Sequence, residues 1–208
     1  MFAVNTYEEI EKREREINEQ HIIVLLFVKP SLKDSKEIIE EFDYIHYNSD
    51  RFCSVYAVGY SNDINCENDK LYKKIQTLHG DWYFNTKKFV EFKDKLEKRI
   101  KWKYSGEIEV LVLQSNPYGK EILNFQNYVA IDINHGIKKE YMESFPKFME
   151  SLVRASKSEV EVKETMRKVS NHRLSIKGII EDTIQESKRV PLSIKKILGD
   201  RYFYRYSK

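Results

Sequence analysis

The chain has 208 residues, of which 33 % are charged and 41 % hydrophobic, with a formal net charge of +3. That length fits one domain, alone or with a helical appendage, and only seven Gly and four Pro argue against a loop-rich or disordered protein. The longest apolar run, residues 22–28, is far too short to span a membrane, and the two cysteines, Cys53 and Cys66, form no CxxC or zinc pattern.

In chain order, residues 6–19 read as a charged helix with Thr6 as N-cap and Glu9 in the capping-box position. Tyr7, Ile10 and Ile17 mark its apolar side, and the remaining charges read as a solvated face. Residues 22–28 (IIVLLFV) are a central strand ended by Lys29-Pro30-Ser31. Residues 34–47 predict a helix with Ile38, Ile39, Phe42 and Ile45 inward, and residues 52–60 a second strand, which together make a parallel βαβ unit. A polar loop follows at 61–70, and residues 71–78 predict a short helix.

Residues 82–113 carry the clearest pattern. A short strand (WYF) leads to a helix whose Phe89, Phe92, Leu96 and Ile100 lie on one stripe, with Asn85 or Thr86 as N-cap. After the turn at Ser105-Gly106, residues 108–113 run almost unbroken in apolar character, as in a strand covered on both faces. A further strand at 128–131 predicts antiparallel pairing with 108–113. From Gly136 the pattern turns helical. Tyr141, Phe145, Phe148, Met149, Leu152 and Val153 form a stripe interrupted by Pro146, which predicts a kink or break. Shorter helical patterns follow around Val162, Ile176–Ile184 and Pro191–Leu198, and RYFYRY at 201–206 reads as an edge strand. The expected fold is α/β, with a mixed sheet of about four or five strands, an N-terminal βαβ unit and a C-terminal helical segment. The expected division is a sheet domain at 1–136 and a helical segment at 137–208.

Several chemistries are excluded at the motif level. There is no GxGxxG, no GxxxxGK[ST] and no GxSxG. The loop at 29–35 stands where thioredoxin-like folds carry their redox loop, and it has no cysteine. Glu107 and Glu109 open a strand of the kind used by metal nucleases, but the lysine expected two positions on is absent. Asp132 and His135 lie where a strand gives way to a helix, a place suited to acid–base work or metal binding; the other reading is that Asp132 or Asn134 caps the next helix. Arg167 and His172 have a spacing that resembles the short Arg–His motif of HEPN ribonucleases, which implies a phosphodiester substrate for that pair. No cofactor is expected.

Charge placement supplies a second set of candidates. Residues 157–208 carry thirteen Lys or Arg against seven Asp or Glu, a net +6, so residues 1–156 carry −3. Basic and aromatic residues interleave at 98–104 and again at the terminus. Arg99, Lys101, Trp102, Lys103, Arg189, Lys195, Lys196, Arg201 and Arg205 are therefore candidates for nucleic-acid contact. The competing reading packs Ile100 and Trp102 inward while Arg99, Lys101 and Lys103 reach solvent.

Residues 42–60, WYF at 82–84, KWKYSGEIEVLVL at 101–113 and YVAIDI at 128–133 together resemble a pattern in uncharacterised bacterial proteins. The resemblance spans about residues 22–150 and implies no catalytic residue. What it implies is an accessory role in a bacterial system of the antiphage-defence kind. The expectation is a cytoplasmic, non-enzymatic interaction module without a membrane segment, whose partner is another protein or a second copy, docked on apolar positions after residue 137. Nucleic-acid binding and an enzyme acting on phosphodiesters or nucleotides are the alternatives.

Overall fold

The computed structural model describes residues 1–49, 53–77, 80–126, 128–157, Thr165 and 204–206. Its elements in chain order are β1 (Phe2–Val4), α1 (Tyr7–Ile17), β2 (Ile22–Phe27), α2 (Ser35–Glu40), α3 (Phe42–Ser49), β3 (Cys53–Val58) and β4 (Tyr60–Ser61). A 3-10 turn (Ile64–Asn68) leads to β5 (Lys73–Thr77), β6 (Gly80–Phe84), α4 (Thr86–Arg99), β7 (Glu109–Gln114), β8 (Val129–Asp132), α5 (Ile133–Lys138), α6 (Phe145–Ser156) and β9 (Tyr204–Tyr206).

The fold is α/β, and its main sheet is mixed, with strand order β1-β3-β2-β7-β8-β9. β3 pairs in parallel with both β1 and β2, which is the expected N-terminal unit. β2 pairs antiparallel with β7, β7 with β8 and β8 with β9. Every residue of β2, β3 and β7 is buried, as their continuous apolar runs require. Successive side chains of a strand point to opposite faces. On one face Phe27 meets Phe89 and Phe92 of α4, and Tyr56 reaches Glu14 of α1. On the other, Cys53 lies against Ser156 of α6, and burial pushes its thiol up to about 12, so it is inert core.

A second, smaller sheet of order β4-β6-β5 branches from the end of β3. The branch turns at Gly59, whose φ is +80°. Its N–H donates to Val4 (2.7 Å) and its carbonyl accepts from Asn85 (2.8 Å), which ties β1, the branch and the start of α4 to one residue. Asn85 then caps α4, its side chain accepting from the Lys88 amide.

Three local expectations are corrected. Residues 71–78 form strand β5 rather than a helix, because Ile75 pairs with Trp82 in a hairpin to β6. The helix expected over 34–47 is two helices, α2 and α3, with the chain re-set at Glu41. Pro146 neither kinks nor breaks a helix; it sits in the first turn of α6, where its missing N–H costs nothing, and Ser144 caps that end. The apolar stripe of α6 belongs to the core rather than to a partner surface. The helical patterns expected between residues 158 and 203 lie outside the described residues, Thr165 apart.

Candidate functional site

Asp132 and His135 meet through the backbone. Asp132 Oδ1 accepts from the His135 amide at 2.8 Å as the N-cap of α5, and no hydrogen bond joins the imidazole to the carboxylate. Burial raises the Asp132 pKa, opposed by that amide and by the nearby imidazole. Asp132→Ala should therefore read out first as a lost cap, about 1 kcal/mol by urea unfolding, of the size typical for N-caps. Glu109 is closed off as well: it is buried, accepting from Trp102 Nε1 (2.7 Å) and the Ser105 amide (2.9 Å). Among the described residues no group of three or more His, Cys, Asp or Glu could hold a metal ion.

The nucleic-acid candidates separate into two kinds. Trp102 is corrected: at 1 % exposure, packed 4.8 Å from the Phe27 ring and bonded to Glu109, it has no free face for a base. Arg99 bonds Glu121 (2.8 Å) and lies 4.3 Å over the Tyr7 ring, so its charge holds α1 and α4 together. Lys103 pairs with Glu97 at 3.2 Å, and Lys101 is exposed. Arg205 lies on β9 at the edge of the sheet. Arg167, His172, Arg189, Lys195, Lys196 and Arg201 lie outside the described residues.

The chain also builds a buried polar cluster that sequence reasoning missed. Glu14 of α1 is wholly buried, 2.9 Å from His21 Nε2, and accepts from the Tyr56 hydroxyl. The same imidazole nitrogen lies 2.9 Å from Ser54 Oγ, and Nδ1 lies 3.0 Å from the Glu19 carbonyl. A nucleophile–base–orienter relay needs the hydroxyl and the carboxylate on opposite ring nitrogens, so this arrangement is a clamp between α1 and the sheet. Burial opposes both charges, yet the contact between them keeps Glu14 below and His21 above their ordinary values. The signal was available in the sequence: Glu14 falls four residues after Ile10 and seven after Tyr7, on the apolar stripe of its helix.

The surface offers a different feature. A shallow recess of about 510 Å³ lies where the chain enters β5 and where β6 passes into α4. Leu71 (63 % exposed) and Val90 (42 % exposed) supply its apolar lining. β5, which leads away from it, is the outer strand of the small sheet, and no strand among the described residues pairs with its far edge.

Among the described residues no helix is long and apolar enough to cross a membrane. Comparison of the sequence with protein-family models, and of the chain with curated proteins and with solved structures, returned no match.

Proposed function

We propose that the chain is a protein-interaction module whose docking surface is the recess at Leu71 and Val90 together with the open edge of β5. The observation that supports this reading is the recess itself. Two large apolar side chains stay exposed on rigid elements, beside backbone that is free to pair. Most apolar residues of the fold are drawn into one core, so exposed neighbours at a concave place are the natural anchor for a partner.

The test is affinity capture from the native host with quantitative mass spectrometry. The wild-type chain should retain one protein in stoichiometric amount. A Leu71→Asp/Val90→Asp variant should lose it by tenfold or more, since a carboxylate forced into a desolvated apolar contact is costly, ~2 kcal/mol or above. Both positions are exposed, so circular dichroism and the urea midpoint should stay unchanged. Equal recovery by wild type and variant sinks the assignment of this surface.

A further inference from the structure

Resting on that reading, we infer that the partner enters as an acidic extended segment that adds as a strand to the outer edge of β5 and seats one apolar side chain in the recess. The first ground is geometric. β5 pairs with β6 from Lys73↔Phe84 to Thr77↔Gly80, so one edge of the strand is used and the other is open along its full length. Lys70 and Leu71 precede β5 directly, while Asn85 and Thr86 follow the residue paired with Lys73, so the recess lies at the entry end of this edge. A strand laid along β5 therefore has one terminus over the recess. Main-chain hydrogen bonds would carry its register, and a side chain dropped into the recess would carry selectivity.

The second ground is charge. Lys70 and Lys73 make no ion pair, and Lys87 and Lys88 share the single carboxylate of Glu91, at 3.9 and 3.8 Å. Lys74, on the other face of β5, is already held by Glu67 (2.8 Å) and Asp81 (2.9 Å). Asp69 next to the recess has one oxygen bonded to the Leu71 amide. Lysines thus outnumber free carboxylates along the path. Lysine on an edge strand discourages pairing with neutral or basic strands. The same lysines favour a strand carrying Asp or Glu, through cross-strand pairs of opposite sign. The edge is selective rather than closed.

The experiment is display selection of random twelve-residue peptides on the whole chain, with the selected peptides synthesised and titrated. Enriched sequences should carry two or more acidic residues at alternate positions and a large apolar residue toward one end. Lys70→Glu/Lys73→Glu should weaken them by about tenfold or more, as loss of charge complementarity at a rim with reversal of sign implies. Leu71→Asp should do the same, and hydrogen exchange should show new protection at 73–77 on binding. Enrichment of neutral or basic peptides, protection elsewhere, or no enrichment overturns the inference. If selection fails while capture from the host still depends on Leu71 and Val90, the module reading stands and strand addition falls. A concentration-dependent dimer abolished by Lys73→Glu would instead assign the edge to a second copy of the chain, and would overturn the acidic segment.

Discussion

Replacing Glu14 by alanine is expected to cost about 3–5 kcal/mol of stability, the range for removing one member of a buried ion pair. The loss strands two groups at once. The His21 imidazole, buried and held in place by the Glu19 carbonyl, loses its counter-charge, and the Tyr56 hydroxyl loses its acceptor. The cost should depend on pH with a definite sign. Glu14 has a folded pKa below its ordinary 4.5, so its contribution is present above that value and disappears as pH falls through the lowered one. His21 has a folded pKa above its ordinary 6.5, so its contribution is whole below 6.5 and disappears as pH rises through the raised value. The difference between wild type and Glu14→Ala in urea unfolding should accordingly be largest between 4.5 and 6.5 and shrink on the alkaline side. His21→Ala should cost a similar amount, and the double variant less than the sum, because the second change removes a group already stranded. Additive single losses, or a difference indifferent to pH, would show that the pair is not ionised in the fold.

Gly59→Ala should be comparably damaging, at roughly 2–5 kcal/mol, from two sources that add. A φ of +80° is strained for any residue with a Cβ. The added methyl would also stand 2.7 Å from Phe89 Cβ and 3.0 Å from Phe89 Cα, and a helix backbone cannot yield as a flexible side-chain tip can. Gly106 separates the two sources. Its φ is +99°, but an added Cβ meets nothing within 4 Å, so Gly106→Ala should show the strain alone. Matching unfolding midpoints for the two variants would mean that the close approach of α4 to the branch carries no energy. A larger loss at Gly59 would assign the remainder to that contact.

What could be read in advance followed from periodicity. The runs that became β2 and β7, the stripe of α4 with its Asn85 cap, and the antiparallel pairing of β7 with β8 are all local patterns with one physical solution. Residues 71–78 misled because Leu71, Ile75 and Leu78 also satisfy helical spacing; the decision was made elsewhere, by WYF at 82–84, which supplied a strand for Ile75 to face. Glu14 was hidden for the opposite reason. A glutamate among glutamates looks solvated, and only its place on the stripe gave it away. The interaction surface was not legible at all, since the recess is made by joining the entry to β5 with the start of α4, and neither segment is unusual alone.

The position of β2 at the centre of the main sheet has a kinetic meaning. One of its edges is filled by β3, which follows after a short helical crossover, and the other by β7, which comes from the second half of the chain. Closing the first pair is a modest loop; closing the second must wait on a far longer one, and pairings of that span set the slow time scale of folding. During the wait, six consecutive apolar residues present an open ladder to the solvent. That interval, rather than any exposed site of the finished fold, is when this chain is most able to pair wrongly with another of its kind.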